Sequence, residues 1–171
     1  GAANVQEIYP LAPLQQGLLY HHLTDTVDPY QQQAVFSFAT EQQVRDFAVA
    51  LQHVMQRHDI LRTSLAWEGL ETPHQVVWRH ARLPVERWQG PEGQWRDHYH
   101  PGRRPLSLDK APMLALVCMD APEQGRWLAL LRFHHLVNDA VSLQVLLGEL
   151  EACMAGRGAQ LPAPVPYRDY V

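Results

Sequence analysis

Several features that would point to common functional classes are scarce in this 171-residue sequence. Only two cysteines occur, Cys118 and Cys153, both in apolar surroundings. Two such thiols give no disulfide framework and read as buried, inert side chains. The formal net charge is -4 and no basic run occurs, which argues against a nucleic-acid footprint. No apolar run is long enough to span a bilayer and no signal peptide is evident, so no membrane role is expected and a cytoplasmic location is the default. There is no internal repeat. Hydrophobic residues make up 46% and charged residues 19%, enough for a packed core in one domain or one lobe of a larger one.

Local patterns then divide the chain. Tyr9-Pro10-Leu11-Ala12-Pro13 reads as an extended lead-in, because proline disfavours helix in the residue before it. Pro13 can open a helix running through Leu23. Tyr30 to Ala39 alternates in part and predicts a strand. Thr40 to Gln43 resembles a capping box. Val44, Phe47, Ala48, Leu51, Val54 and Met55 follow it at helical spacing, ending near Arg57-His58. Leu61 to Trp67 and His74 to Trp78 predict a hairpin, and Leu83 to Trp88 a weaker strand. Gln94 to His100 suits a short helix. Pro112 to Met119 and Trp127 to Phe133 predict two buried strands paired as a hairpin. A second long helix is expected from Val141 to Met154, ended by Gly156 and Gly158. Ala159 to Pro166 reads as a proline-rich connector, and Tyr167 to Val171 as an aromatic segment after it. The expected class is α/β: a two-layer sandwich with helices packed on a mixed sheet.

One stretch invites chemistry. Arg132-Phe133-His134-His135-Leu136-Val137-Asn138-Asp139-Ala140 leaves an apolar strand and enters a helix. A strand-to-helix junction is a rigid place to present a titratable group. Neighbouring strand residues point to opposite faces, so one histidine should be packed inside and the other face a ligand. The same argument counts against a bidentate metal pair, and no His-x-His or Cys-x-x-Cys companion lies nearby, so no metal site is expected. Asp139 has an ordinary role open to it as N-cap of the expected helix, at a cost of about 1 kcal/mol on removal. A second role is to pair with an arginine, of which Arg62 is the nearest in a motif-like setting. On spacing alone the loop reads as structural.

Four segments, in order, resemble the condensation domains of nonribosomal peptide synthetases. Tyr9-Pro10-Leu11-Ala12-Pro13-Leu14-Gln15-Gln16-Gly17-Leu18-Leu19 is similar to the family's opening motif. Arg57-His58-Asp59-Ile60-Leu61-Arg62-Thr63 resembles RHxxLRT, and His134-His135-Leu136-Val137-Asn138-Asp139-Ala140 resembles the active-site HHxxxDG. Tyr167-Arg168-Asp169-Tyr170 is similar to the YxDY/F segment that follows. The resemblance implies one lobe of the chloramphenicol acetyltransferase fold, here the N-terminal lobe over residues 1–171. Residues 159–171 would lead toward a missing C-terminal lobe, so the isolated lobe is expected to be inactive.

The activity implied is amide-bond formation in antibiotic or other secondary-metabolite biosynthesis. A donor aminoacyl or peptidyl thioester would meet an acceptor amine. Both would arrive on the 4'-phosphopantetheine arms of upstream and downstream carrier proteins, with an adenylation domain as neighbour and no directly bound cofactor. The resemblance makes His135 the catalytic histidine, either as general base or as the group that orients the amine. It gives His134, Asp139 and Arg62 structural roles, with Arg62 paired to Asp139. Ala140 departs from the family glycine, which leaves open an altered site or a carrier-docking module without catalysis. His21-His22-Leu23 followed by Asp28-Pro29-Tyr30 resembles, one residue short, the extra histidine motif of dual epimerisation/condensation domains. A pure epimerisation domain shares the histidine loop and stays as a further alternative.

Overall fold

The computed structural model describes residues 2–141 and 143–170; the side chains of residues 138–140 and 170 lie outside the described set. In chain order the regular elements are β1 (Val5–Pro10), α1 (Pro13–Thr24), β2 (Gln31–Phe38) and α2 (Glu41–Arg57). Next come β3 (Thr63–Ala66), β4 (His74–Trp78), β5 (Val85–Arg87) and the single turn α3 (Trp95–His98). The chain then forms β6 (Leu114–Ala121), β7 (Arg126–His134), α4 (His135–Ala140) and α5 (Leu143–Met154).

Among the described residues the strands form two sheets. One is antiparallel in the order β1-β4-β3; the other has four strands in the order β2-β7-β6-β5, with β5 parallel to β6. The mixed α/β sandwich expected from the sequence is therefore present, with its strands divided between two sheets.

The helix α2 forms where its pattern says it should. Thr40 Oγ1 accepts from the Gln43 N–H at 3.2 Å, and Gln43 Oε1 accepts from the Ala39 N–H at 2.9 Å. These contacts satisfy amides that a helix start leaves orphaned. Val44, Phe47, Ala50, Leu51, Val54 and Met55 are buried along one face. Phe47 meets Phe36 and Phe38 of β2 with ring centroids 4.9 and 5.3 Å apart. Together α2 and α5 cover one face of the four-stranded sheet, where Leu116, Leu131 and Phe133 join the same core. On the opposite face Trp95 and Tyr99 pack on Val117, Met119, Leu128 and Leu130. Burial on both faces explains why β6 and β7 read as continuous apolar runs.

Two local expectations change. The lead-in contains a true strand, β1, whose residues alternate between half-buried and exposed. Its apolar signal is correspondingly weak, and its pairing with β4 supplies the order. The helix after the histidine pair begins at His135, not at Ala140 or Val141. His134 caps it: its backbone is extended and its Nδ1 accepts from the Leu136 N–H at 3.1 Å. Asp139 thus lies within α4 and is not an N-cap. Val141 returns to extended geometry (φ -127°, ψ 110°) before α5 begins.

Leu51 is fully buried between α2 and the sheet. Leu51→Ala is expected to cost about 2–5 kcal/mol in urea unfolding, whereas truncating the exposed Val49 should change stability by less than about 0.5 kcal/mol.

Candidate functional site

Sheet register assembles the site. Antiparallel pairing of β2 with β7 sets Gln31 opposite His134. The residues just before β2 therefore lie against the residues just after β7, although the two segments are far apart in the chain. The His135 N–H donates to the Tyr30 carbonyl at 2.8 Å. The Tyr30 ring stacks on the His135 imidazole, centroids 6.1 Å apart and planes 17° from parallel.

His134 is the inner histidine, with no exposed surface. Its Nε2 lies 2.9 Å from Asp28 Oδ2. Nδ1 of His22, near the end of α1, reaches the same oxygen at 2.7 Å. The other carboxylate oxygen, Oδ1, accepts from the Tyr30 N–H at 2.8 Å. One carboxylate thus serves two imidazoles and a backbone amide. His21 goes elsewhere. It sits one position along α1, pairs with Asp25 at 3.1 Å on the surface, and keeps its ring 5.6 Å from that of Tyr30.

His22, Asp28 and His134 place their ligand atoms within 4.8 Å of one another, close enough for a metal triad. Hydrogen-bond polarity says otherwise. Because Nδ1 of His134 accepts from Leu136, the neutral ring carries its proton on Nε2, which then donates to Asp28. A metal at Nε2 would need the lone pair there and would conflict with the Leu136 donor. The cluster suits a proton-bearing network.

Ionisation agrees with that polarity. Burial lowers the His134 pKa from its ordinary value, outweighing the attraction and hydrogen bond of Asp28. Burial also opposes the Asp28 charge, but the bonds from Tyr30, His22 and His134 together hold its pKa below the usual value. Asp28 is accordingly the carboxylate and His134 the neutral partner.

Arg62 is buried and pins the three-stranded sheet. Its guanidinium donates to Gln6 Oε1 at 3.0 Å, to the Arg79 carbonyl at 3.3 Å, and to the Trp78 carbonyl. Desolvation lowers its pKa, against the opposing pull of Asp59. The expected pairing of Arg62 with Asp139 falls on a side chain outside the described residues, as does the methyl of Ala140.

Sequence reasoning missed several polar anchors. Asp59 Oδ2 accepts from the Tyr167 N–H at 2.9 Å. His58 Nε2 and Arg57 Nε meet Glu149 of α5 at 2.8 and 3.3 Å, and Arg57 also donates to the Pro162 carbonyl at 2.6 Å. The motif at the end of α2 therefore fastens α5 and the proline-rich segment. Buried Gln15 of α1 accepts from Gln75 Nε2 of β4 at 2.9 Å. Helix α1 also carries Gln16, His21, His22 and Thr24, so nothing in its pattern marks Gln15 as the buried polar residue.

The architecture matches solved condensation domains. The chain superposes on a four-domain nonribosomal peptide synthetase bound to AMP and glycine with a TM-score of 0.71, at 18% identity, covering 87% of this chain and 12% of that one. The condensation domain from Monacolin K polyketide synthase MokA gives a TM-score of 0.69 at 18% identity, covering 95% of this chain and 37% of that one. The fold is thus that of the chloramphenicol acetyltransferase-like condensation domains. In sequence, the chain is 39% identical over 178 residues to malpinin synthetase of Mortierella alpina, which takes in all of this chain and 2% of that protein. It is 36% identical over 178 residues to malpibaldin synthetase of the same organism, covering all of this chain and 3% of that protein. The chain thus spans only a small part of the curated relatives it matches. The Condensation domain family matches residues 5–171, and the chain belongs to that family.

The shifts at the site fix how stability responds to pH. The folded pKa of His134 lies below its unfolded value, so its contribution is present above about pH 6.5 and is lost as pH falls through the folded value. Asp28 adds a loss of the same sign at lower pH, starting near its unfolded value of about 4. The melting temperature should therefore fall on acidification from about pH 7.5 to about pH 5, a range that spans the ordinary histidine pKa, and less so in His134→Gln. Equal slopes in the two proteins would show that His134 does not carry the effect.

Proposed function

We propose that this chain is the N-terminal lobe of a domain that forms an amide bond between two carrier-bound substrates. The observation that carries the reading is the placement of His135 in a chain of this family: half-buried at the first residue of α4, directly after β7, beside an inner histidine already committed to a carboxylate. In the reaction the acceptor amine adds to the donor thioester carbonyl. The new C–N bond forms, the C–S bond breaks, and the proton lost by the amine ends on the departing thiol. An imidazole titrates in the range that helps a neutral amine shed that proton, or it can hold the amine by hydrogen bonding. Holding two tethered substrates face to face supplies much of the remaining rate.

The substrates of this reading are aminoacyl or peptidyl groups on 4'-phosphopantetheine arms of upstream and downstream carrier proteins. A C-terminal lobe completes the channel, and an adenylation domain supplies activated monomer. Such an assembly works in the cytoplasm; no helix among the described residues is long and apolar enough to cross a membrane. In the intact synthetase, His135→Ala should lower product formation by roughly 10²- to 10⁴-fold, with carrier loading and melting temperature unchanged. Normal turnover per folded molecule would remove His135 from the chemistry.

The geometry also favours a dual subtype, in which the donor α-carbon is epimerised before condensation. Its support is that His22 and Asp28 converge on the inner histidine of the loop. Solvent deuterium should then appear at the donor α-carbon at a rate that falls in His22→Ala. Product free of deuterium would leave simple condensation.

A further inference from the structure

The structure assigns to Asp28 and Tyr30 the task of positioning His135, an inference that rests on the reading of His135 as the group facing the amine. Two routes converge on that ring. The first runs through the backbone. Asp28 Oδ1 holds the Tyr30 N–H at 2.8 Å, and the Tyr30 carbonyl holds the His135 N–H at 2.8 Å. The second runs through side chains. Asp28 Oδ2 holds His134 at 2.9 Å, His134 caps α4 through Leu136, and the Tyr30 ring lies nearly parallel to the His135 ring at 6.1 Å.

Both routes start at one carboxylate, which is 3% exposed and accepts from two imidazoles and one amide. A buried carboxylate held by three donors cannot move without breaking several bonds at once, so it is a stiff reference point. A displacement of about 1 Å at a reacting group can cost roughly 10²-fold in rate, so a stiff support for His135 has kinetic value. His22 belongs to the same support, since its Nδ1 reaches the shared Oδ2 at 2.7 Å.

The substitution that separates this role from bulk is Asp28→Asn. It keeps shape and volume, but its single oxygen cannot serve both the two imidazoles, which share Oδ2, and the Tyr30 N–H, which uses Oδ1, so one side of the network loses its acceptor. Tyr30→Ala tests the stacking route while leaving both backbone bonds of residue 30 in place. In the intact synthetase, with aminoacyl carrier proteins as substrates, each should lower kcat by roughly 10- to 100-fold with KM for the acceptor carrier unchanged. Tyr30→Phe, which retains the ring, should restore most of the rate lost in Tyr30→Ala. Combining Asp28→Asn with His135→Ala should give no loss beyond that of His135→Ala alone, since a positioning residue acts through the group it positions.

Wild-type kcat in both single variants overturns the proposal, as does a loss confined to KM or tracking a lowered melting temperature. A further loss in the double variant equal to that of Asp28→Asn alone also overturns it, because Asp28 would then act independently of His135. An active His135→Ala protein removes the functional reading itself. An inactive His135→Ala with an unaffected Asp28→Asn removes only the positioning role.

Discussion

The shared carboxylate of Asp28 is the constraint on which the site depends. Burying an ionised carboxylate is costly unless its acceptor positions are filled by donors. Here the donors come from three places: the end of α1, the residue before β2, and the last residue of β7. Satisfying Asp28 therefore requires those elements to meet. The requirement also sets the polarity of the inner histidine, because Leu136 fills one ring nitrogen and leaves the other to donate. The orientation of the inner ring follows from where those protons sit.

The remaining charged residues of the motifs serve mainly as fasteners. Arg62 spends its guanidinium on the carbonyls of Trp78 and Arg79 at the end of β4. Arg57, His58 and Asp59 tie α2 to α5 and to the segment from Pro162 to Tyr167. A motif dense in titratable groups can thus be largely mechanical.

Most of the framework was legible in the sequence because it follows from short-range periodicity. The cap at Thr40, the apolar stripe of α2 and the continuous runs of β6 and β7 each carry their own signal. The start of α4 did not, since a histidine is an unusual helix cap and its role appears only once the Leu136 amide is seen to point at it. Strand β1 was hidden because its burial is partial. The meeting of Asp28 with His134 was not legible from spacing at all: it is a product of register, and the two residues stand 106 positions apart. The motif resemblance placed His22 and Asp28 in one motif and His134 in another. It could not reveal that they share an oxygen.

That separation has a consequence for how the site comes into being. Closing a loop of about a hundred residues costs entropy that local helices never have to meet, and long-range strand pairings form slowly for that reason. The pairing of β2 with β7 is such a contact, and it lies upstream of every interaction around His135. During synthesis α1 and the Asp28 turn emerge early and must wait until β7 has been made before His134 exists to join them. A chain halted before β7 can hold helix α2 and the hairpin β3–β4, and even the local pair of His22 with Asp28, yet it lacks His134 and His135. The site is thus a late product of folding, and its geometry reports that the four-stranded sheet has closed in the correct register.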